Sequence, residues 1–434
     1  MIKRNVIGIG LLGLSMALQA QEKLLTIEEM FWIADSNSTE LQLRRLRMSE
    51  AEQGIRIAKN DRLPSVGAQV ELNYIGDGVM TERDFSGGIH ADMPHWGNTF
   101  VVKASQVIYA GGEISRGIER SRLEAEAAGH EYCITQQDLR FLLLGYYLDL
   151  FQLNNQRTVY ERNVEQTQIL VKDMKADYRQ GTALKSDITR YELQLQNIQL
   201  RLTATENEIN KINYRLLTAL GLDQGLQIVP DKNSLLVAEV DSLSEQDWRW
   251  ASKEAPRLQL ADTEIALSRN RERLIRAERL PRVHFSLTSE LNGPILVEVP
   301  PLNNNFAYWF AGVSVSYSFD SLFKSHKKLK QAKIAIMRSE MAKEQVAEEV
   351  DNSIHAAYVD LNEAYIRLRT QQKSVQLAHE NYGIVRQRYL NGLALITDML
   401  DASNTQLDME LQLANYQIGI LYQYYLLKKL TGTL

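Results

Sequence analysis

The second half of this chain repeats its first half, and this duplication limits the possible folds more than any other feature. Between residues 147 and 221 the sequence matches, without a gap, a stretch 211 positions later, as at Tyr178 and Tyr389. Closer to the N-terminus the offset is 217, as between Pro64 and Pro281. In each copy a helix comes first, then two strand-like runs, then a very long helical stretch that is interrupted once at a glycine. We therefore expect one structural unit that is used twice.

The start of the chain has the parts of a secretory signal peptide. Lys3 and Arg4 precede an apolar run of about a dozen residues, and Ala20 closes a plausible cleavage site. No later run reaches the roughly 18 apolar residues that a transmembrane helix needs, so the exported chain would be periplasmic, secreted or inserted in the outer membrane as strands. The expected organisation is a signal peptide at residues 1–20, a first repeat at 21–225, a linker at 226–247 and a second repeat at 248–434.

Four runs, two in each copy, alternate apolar and polar side chains with the period of two that a β-strand requires. The clearest has Trp309, Val313 and Val315 on one side and serines on the other, whereas the run before Tyr109 is interrupted by Gln106. Each run has about 10 residues, which suits a tilted outer-membrane strand. A soluble antiparallel sheet with one wet face gives the same alternation.

The number of strands makes a second demand. Four strands are too few to close a membrane barrel, because about eight is the practical minimum. Strands with a lipid-facing side would therefore have to be shared between chains. The strands therefore predict an oligomer, and the number of chains stays open.

The helical stretches are longer than those of an ordinary domain. From Ser115 to Tyr178 the sequence has no proline and three glycines, and an unbroken helix of that length measures roughly 95 Å at 1.5 Å per residue. The second copy repeats the pattern from about Lys327 to Leu430. Such lengths indicate a coiled coil or a helical tube.

Composition and motifs argue against several classes of protein. The net charge of −5 at pH 7 lacks the basic excess that is typical of nucleic-acid binding. Cys133 is the only cysteine, and we expect it to be a small core residue. The seven histidines show no metal-ligand spacing, and there is no phosphate-binding loop and no Gly-x-Ser-x-Gly motif. We therefore expect no enzyme, no cofactor and no metal site.

Several short motifs mark the boundaries between these elements. The helix-to-strand junctions contain Leu63-Pro64 and Leu280-Pro281, and the first strand-to-helix exit is Gln106-Val-Ile-Tyr-Ala-Gly-Gly112. The long helices are interrupted at Tyr178-Arg-Gln-Gly-Thr-Ala-Leu184 and at Tyr389-Leu-Asn-Gly-Leu-Ala-Leu-Ile-Thr-Asp-Met-Leu-Asp401.

Together these motifs resemble those of the TolC-type outer-membrane efflux family, the outer membrane factors of tripartite efflux and type I secretion systems. The resemblance covers nearly all of the mature chain. The second copy departs from the family pattern at its strand exit, Phe319-Asp-Ser-Leu322. It also has Ala394 where some members carry a basic residue that helps to lock the gate.

The resemblance implies a mainly α fold with a small β part. Long antiparallel helices would form a trimeric α-barrel tunnel across the periplasm, and each chain would give four strands to a shared twelve-stranded outer-membrane β-barrel. The implied partners are two further copies of the chain in a homotrimer, a periplasmic adaptor (membrane fusion) protein, and an inner-membrane pump or secretion ATPase. The protein would then be a passive exit duct in the outer membrane for small toxic compounds or proteins. The alternative is a secreted or periplasmic coiled-coil scaffold or adaptor without a pore.

Candidate gate residues lie just past the second glycine. Asp398 and Asp401 are three residues apart in a helical run, which places both carboxylates on one face. In a trimer they would form two rings of three, and such rings select for cations; a solvated helix face is the simpler alternative. The resemblance also assigns Asp187, which matches Asp398, and Tyr389 to this periplasmic gate.

The turns themselves are the expected docking site for the adaptor. Gly181 and Gly392 would allow a tight reversal between long helices. Apolar residues exposed at a tip usually mark a partner surface, and here the candidates are Ala183, Leu184, Leu393, Leu395 and Ile396.

Overall fold

The computed structural model describes residues 21–231, 243–298 and 300–434. The expected signal peptide and part of the expected linker lie outside these residues. The described chain forms two compact units. Unit 1 contains residues 21–42, 133–231, 243–255 and 349–434, and unit 2 contains residues 43–132 and 256–348 without residue 299. Each unit takes segments from both sequence repeats, so the compact units do not follow the repeat boundaries.

Long helices account for most of the described chain. They are α1 (Ile27–Asn37), α2 (Thr39–Asn60), α3 (Glu113–Arg179), α4 (Lys185–Leu220), α5 (Glu245–Ala251), α6 (Pro256–Ala277), α7 (Asp320–Leu390) and α8 (Ile396–Thr431). The strands are β1 (Gln21–Leu25), β2 (Ser65–Tyr74), β3 (Gly78–Met80), β4 (Ile89–Ala91), β5 (Trp96–Ala110), β6 (Leu226–Pro230), β7 (Arg282–Gly293) and β8 (Phe306–Ser316).

The predicted mainly α fold with a small β part is confirmed, and the element order shows the duplication. The first copy runs α2, β2, β5, α3, α4, and the second runs α6, β7, β8, α7, α8. The long helices lie close to their predicted bounds, except that α7 begins at Asp320 and not near Lys327. A carboxylate near the N-terminus of a helix stabilises the helix, and Asp320 is the first residue of α7. Asp320 also forms an ion pair with Lys324 one turn later. Among the helices described, none has a segment long and apolar enough to cross a bilayer.

In unit 1 a buried tyrosine joins a short strand pair to a long helix. β1 and β6 run parallel and pair along their whole length. Tyr147 of α3 is fully buried; its hydroxyl donates to the carbonyl of Leu25 at 2.6 Å and accepts the backbone N–H of Asp231 at 2.9 Å. Cys133, on the same helix, is half-buried and not the core residue that we expected.

The duplication in unit 1 extends to the helix ends. Gly221 caps the C-terminus of α4 and Gly432 caps that of α8, both with a left-handed backbone. In each case the next residue donates its N–H to a carbonyl five positions earlier, at 2.9 Å for both Leu222 and Thr433. These bonds belong to the Schellman motif, which satisfies the last carbonyls of a helix.

Unit 2 contains an antiparallel sheet with the strand order β2-β5-β7-β8. Pro64 immediately precedes β2 and Pro281 immediately precedes β7, as predicted for helix-to-strand junctions. The residue before a proline is forced towards extended backbone. In both copies it closes the helix with a short-range bond, from Leu63 N–H to Asn60 at 2.8 Å and from Leu280 N–H to the equivalent carbonyl at 3.0 Å.

The irregular strand of the sequence analysis is β5. Its pairing with β7 shifts between Val107 and Tyr109, where a β-bulge interrupts the register. Gln106, which breaks the apolar alternation, donates its side-chain amide to the carbonyl of Arg62 at 3.0 Å. A polar residue at this place therefore ties β5 to the chain that leads into β2.

Both outer strands of the sheet are open. Among the described residues, β2 pairs only with β5, and β8 pairs only with β7. Their outward apolar side chains are 62% to 72% exposed, namely Val66, Val70, Leu72, Trp309, Val313 and Val315. An apolar face of this kind beside an unpaired strand edge indicates an interaction surface.

Candidate functional site

Both turns between the long helices have the same backbone hydrogen bonds. After α3 the N–H of Thr182 donates to the carbonyl of Asp177 at 3.0 Å, and that of Gly181 donates to Tyr178 at 3.1 Å. The turn after α7 repeats both bonds at the equivalent positions, at 2.8 and 2.9 Å. This is again the Schellman motif, so both helices stop for the same local reason.

Glycine is required at these turns by the backbone and not by space. Gly181 has a φ of 79° and Gly392 a φ of 73°. Residues other than glycine rarely adopt this left-handed backbone conformation. A Cβ atom added at either position would meet no atom of the described residues within 4 Å.

An apolar cluster lies next to the turns and contains residues from both copies. Its buried members are Val171, Met174, Ile188, Tyr191 and Ile396, and Leu170, Tyr389 and Leu400 pack against them. The two helical hairpins of one chain are therefore held together near their tips by hydrophobic contact.

Two tyrosines of this cluster have unusual electrostatics. Burial raises the pKa of Tyr191, and the neighbouring phenols of Tyr382 and Tyr389 raise it further. The Tyr191 hydroxyl has no hydrogen-bond partner among the described residues. The pKa of Tyr389 is raised by partial burial and then by the carboxylates of Asp187 and Asp177. Tyr389 and Asp187, both predicted gate residues, thus lie close enough to influence each other.

Asp398 has a local structural role that the sequence did not show. It is the third residue of α8, and its carboxylate accepts the backbone N–H of Leu395 at 3.0 Å. A carboxylate here satisfies a free N–H of the first turn and interacts favourably with the helix dipole. Any account of Asp398 as a gate residue must therefore separate its charge from its capping bond.

The other two predicted gate carboxylates occupy related positions. Asp401 is exposed and lies one turn after Asp398 on α8, on the same face. Asp187 is the third residue of α4 and is half-buried. A ring of these carboxylates would need further copies of the chain.

Leucines form the exposed apolar surface of the turns. Leu184, Leu393 and Leu395 are between 67% and 69% exposed, and Ala183 is half-buried. Ile396, which we expected on this surface, is buried in the apolar cluster instead. Ile396 is the first residue of α8, and its side chain packs in a cluster with residues of the neighbouring hairpin.

Farther along the helices, a buried carboxylate joins three of them. Glu410 of α8 is 7% exposed; one of its oxygens accepts the amide of Gln406 at 2.9 Å and lies 2.9 Å from His379 Nε2 of α7. Its other oxygen is 3.6 Å from Arg162 Nη1 of α3. Glu410 could not be recognised from the sequence, because only the packing of three helices brings it beside His379 and Arg162.

Unit 2 contains a group of possible metal ligands that the sequence did not reveal. Asp77, His90 and Asp92 lie together in the loop between β2 and β5. The histidines were expected to form no metal site, and this grouping makes His90 a candidate ligand. Spacing along the chain gave no sign of this group, because strand pairing and not a helical repeat brings Asp77 beside His90.

Comparison with known proteins points to one family. The family model for outer membrane efflux proteins matches residues 33–222 and 250–433. No curated protein gives a significant match.

Several solved structures share the fold. The outer-membrane channel OprN is 17% identical, with 94% of this chain and 90% of that chain covered and a TM-score of 0.75. The outer membrane protein VceC from Vibrio cholerae is 14% identical, with coverage of 93% and 96% and a TM-score of 0.74. The CmeC outer membrane channel of Campylobacter jejuni is 14% identical, with coverage of 94% and 85% and a TM-score of 0.75. At these identities the likeness concerns the fold.

Proposed function

The chain belongs to the outer membrane efflux protein family, and from this premise we propose that it is the outer-membrane channel of a tripartite efflux or type I secretion system. Membership in this family makes it a transport protein and not an enzyme. In the proposed role it is a passive exit duct for small toxic compounds or proteins. Energy for transport comes from an inner-membrane pump or secretion ATPase, to which a periplasmic adaptor connects it.

The open sheet of unit 2 is the observation that carries this proposal. β2 and β8 each leave one edge unpaired within the described chain, and their apolar side chains are exposed. Pairing of β8 with β2 of another copy gives the backbone groups of both edges their hydrogen-bond partners. Repeated from chain to chain, the same pairing closes the strands into a ring. Three chains supply twelve strands, which is within the range of outer-membrane barrels.

The helices of unit 1 support association of copies independently. α4 has Leu193, Leu200 and Tyr214 exposed along one line, at intervals of seven or fourteen residues. Such spacing is typical of a seam that packs against another helix. α7 has a comparable exposed series, consisting of Val359, Ile366, Leu377 and Ile384. We propose that these seams face neighbouring chains in a homotrimeric tunnel, with the barrel in the outer membrane and the helices in the periplasm.

The exposed leucines at the turns are the proposed docking site for the adaptor. Leu393→Glu combined with Leu395→Glu should abolish efflux-dependent resistance in cells and leave the trimer and its conductance intact. Leu24→Glu is a matched control, because Leu24 is an exposed leucine on β1, away from the turns. Loss of resistance in both variants, or in neither, would contradict this assignment.

The proposed periplasmic gate consists of Asp398 and Asp401, with Asp187 and Tyr389 beside them. Planar-bilayer recording of the purified protein tests it. Asp398→Asn and Asp401→Asn together remove the charges and leave an amide oxygen that can still cap α8. We expect weaker cation selectivity and a larger open fraction than in the parent chain.

Asp173→Asn is the control for charge alone, since Asp173 is exposed on α3 outside the turn. Unchanged selectivity in the double variant would rule out the carboxylate rings. An absence of conductance in every variant, with the protein in the aqueous fraction of cells, would favour the coiled-coil scaffold instead.

A further inference from the structure

The loop between β2 and β5 contains imidazole and carboxylate groups that converge on one point. Asp77, His90 and Asp92 each place a possible ligand atom within 4.8 Å of the other two. His90 Nε2 is 3.9 Å from Asp77 Oδ2 and 3.7 Å from Asp92 Oδ1. Both separations exceed hydrogen-bond length, so the imidazole and the carboxylates share a space without bonding to each other.

A small hairpin creates this convergence. β3 and β4 pair in antiparallel orientation. Asp77 immediately precedes β3, His90 lies in β4, and Asp92 immediately follows it. The backbone N–H of Met93 donates to Asp77 Oδ1 at 3.1 Å. This bond orients the carboxylate and leaves Oδ2 on the side of His90.

We propose that Asp77, His90 and Asp92 bind one divalent transition-metal ion of the zinc class in each chain. One imidazole nitrogen and two carboxylate oxygens are donors that Zn²⁺ accepts at about 2.0–2.2 Å, and at such bond lengths the corners of a tetrahedral site are roughly 3.4 Å apart. The distances from His90 Nε2 to the two carboxylate oxygens, 3.7 and 3.9 Å, need to shorten by only a few tenths of an ångström. All three ligand atoms lie within 4.8 Å of one another. The imidazole favours Zn²⁺ over Mg²⁺ and Ca²⁺, which prefer oxygen ligands alone.

A second imidazole borders the site. His95 Nδ1 is 3.0 Å from the carbonyl oxygen of Ile75 and 3.9 Å from Asp77 Oδ1. A carbonyl oxygen only accepts, so Nδ1 is the donor of this bond and Nε2 takes no part in it. The ring is also stacked on Tyr74 with centroids 5.2 Å apart. The hydrogen bond and the stacking therefore hold the His95 ring in place at the edge of the cluster.

The composition of the loop supports a cation. Residues 76–96 contain four carboxylates and one arginine, a net charge of −3 with both histidines neutral. The equivalent loop of the second copy, residues 292–305, has a single carboxylate and no histidine. The proposed site is thus particular to the longer loop of the first copy, and a bound cation relieves the repulsion between its two facing aspartates.

Isothermal titration calorimetry with ZnCl₂ tests the site in the full mature protein, purified in detergent and freed of metal with a chelator. We expect one site per chain, with the affinity reduced at least tenfold in His90→Ala and in Asp92→Asn. Asp92 is 98% exposed, so its replacement cannot disturb the fold. His326→Ala is the matched control, since His326 is an exposed histidine on α7, and it should bind zinc as the parent does. MgCl₂ should not compete.

Hydrogen exchange locates the ion. Zinc should slow exchange of the backbone amides between residues 76 and 96 in the parent chain and in His326→Ala, and should have no effect there in His90→Ala. Zinc binding of equal strength in His90→Ala, or no binding up to millimolar zinc, would overturn the proposal. Neither result would bear on whether the protein is a channel.

Discussion

Replacing Gly392 by alanine should open the second helix turn, because alanine disfavours the backbone that this residue holds. Its φ is 73°, and an L-residue in the left-handed helical region loses about 1–2 kcal/mol relative to the right-handed one. Within the part of the chain that the structure describes, an added Cβ meets no atom within 4 Å, so no steric clash adds to this cost. The turn should therefore open roughly 5 to 30 times more often.

Hydrogen exchange of a single amide measures that opening. The N–H of Leu393 donates to the carbonyl of Arg388 at 2.8 Å and is released when the turn opens. Gly383→Ala is the matched control, because Gly383 lies inside α7 and an added Cβ there also meets nothing. In a helix interior alanine is favoured over glycine by about 0.5–1 kcal/mol, so this variant should exchange no faster than the parent.

The equivalent change in the first copy, Gly181→Ala, should accelerate exchange at Thr182 by a similar factor. Two results would show that backbone strain is not the reason for glycine at the turn. One is exchange of Leu393 at the parent rate in Gly392→Ala, and the other is exchange of Leu393 equally fast in Gly392→Ala and in the control Gly383→Ala.

Further substitutions and a change of pH test the electrostatics and packing of unit 1. Tyr191→Phe should not lower the thermal unfolding temperature, because the buried hydroxyl has no partner among the described residues. Tyr147→Phe should lower the free energy of unfolding by about 1–3 kcal/mol, since its hydroxyl bridges two backbone groups. The raised pKa values of Tyr191 and Tyr389 mean that the folded chain holds these phenol protons more firmly than the unfolded chain. Their contribution is therefore complete below the unfolded value of about 10 and declines as the pH rises above it; the unfolding temperature should fall above that pH, and less so in Tyr191→Phe. Asp398→Ala should weaken the start of α8 by roughly 0.5–1 kcal/mol, measured by exchange of the Leu395 amide, and Asp401→Ala should leave that amide unchanged.

Much of the fold could be predicted because its determinants are local. Alternation along β2 and β8, the prolines before β2 and β7, and the glycines at the turns each act within a few residues. The duplication then allowed each feature to be checked against its equivalent in the other copy. The early start of α7 at Asp320 was missed because that exit lacks the double glycine of the first copy, and α7 begins there on an acidic residue instead.

The candidate site was harder to predict from the sequence than the fold. The turns could be placed, but two features depend on how two hairpins pack against each other. These are the burial of Ile396 and the lack of a partner, among the described residues, for the hydroxyl of Tyr191. Asp398 was recognised by its charge, and its capping bond became evident only from the backbone of α8. Asp77 and His90 are separated by a hairpin whose register no periodicity indicates.

The number of chains in the particle decides whether the open sheet is completed as we propose. Native mass spectrometry of the mature protein, extracted from the outer-membrane fraction in mild detergent, gives that number. A dominant species of three chains is expected, with β8 of each copy beside β2 of the next. A single chain, recovered without detergent from the aqueous fraction, would contradict the shared barrel and the channel built on it.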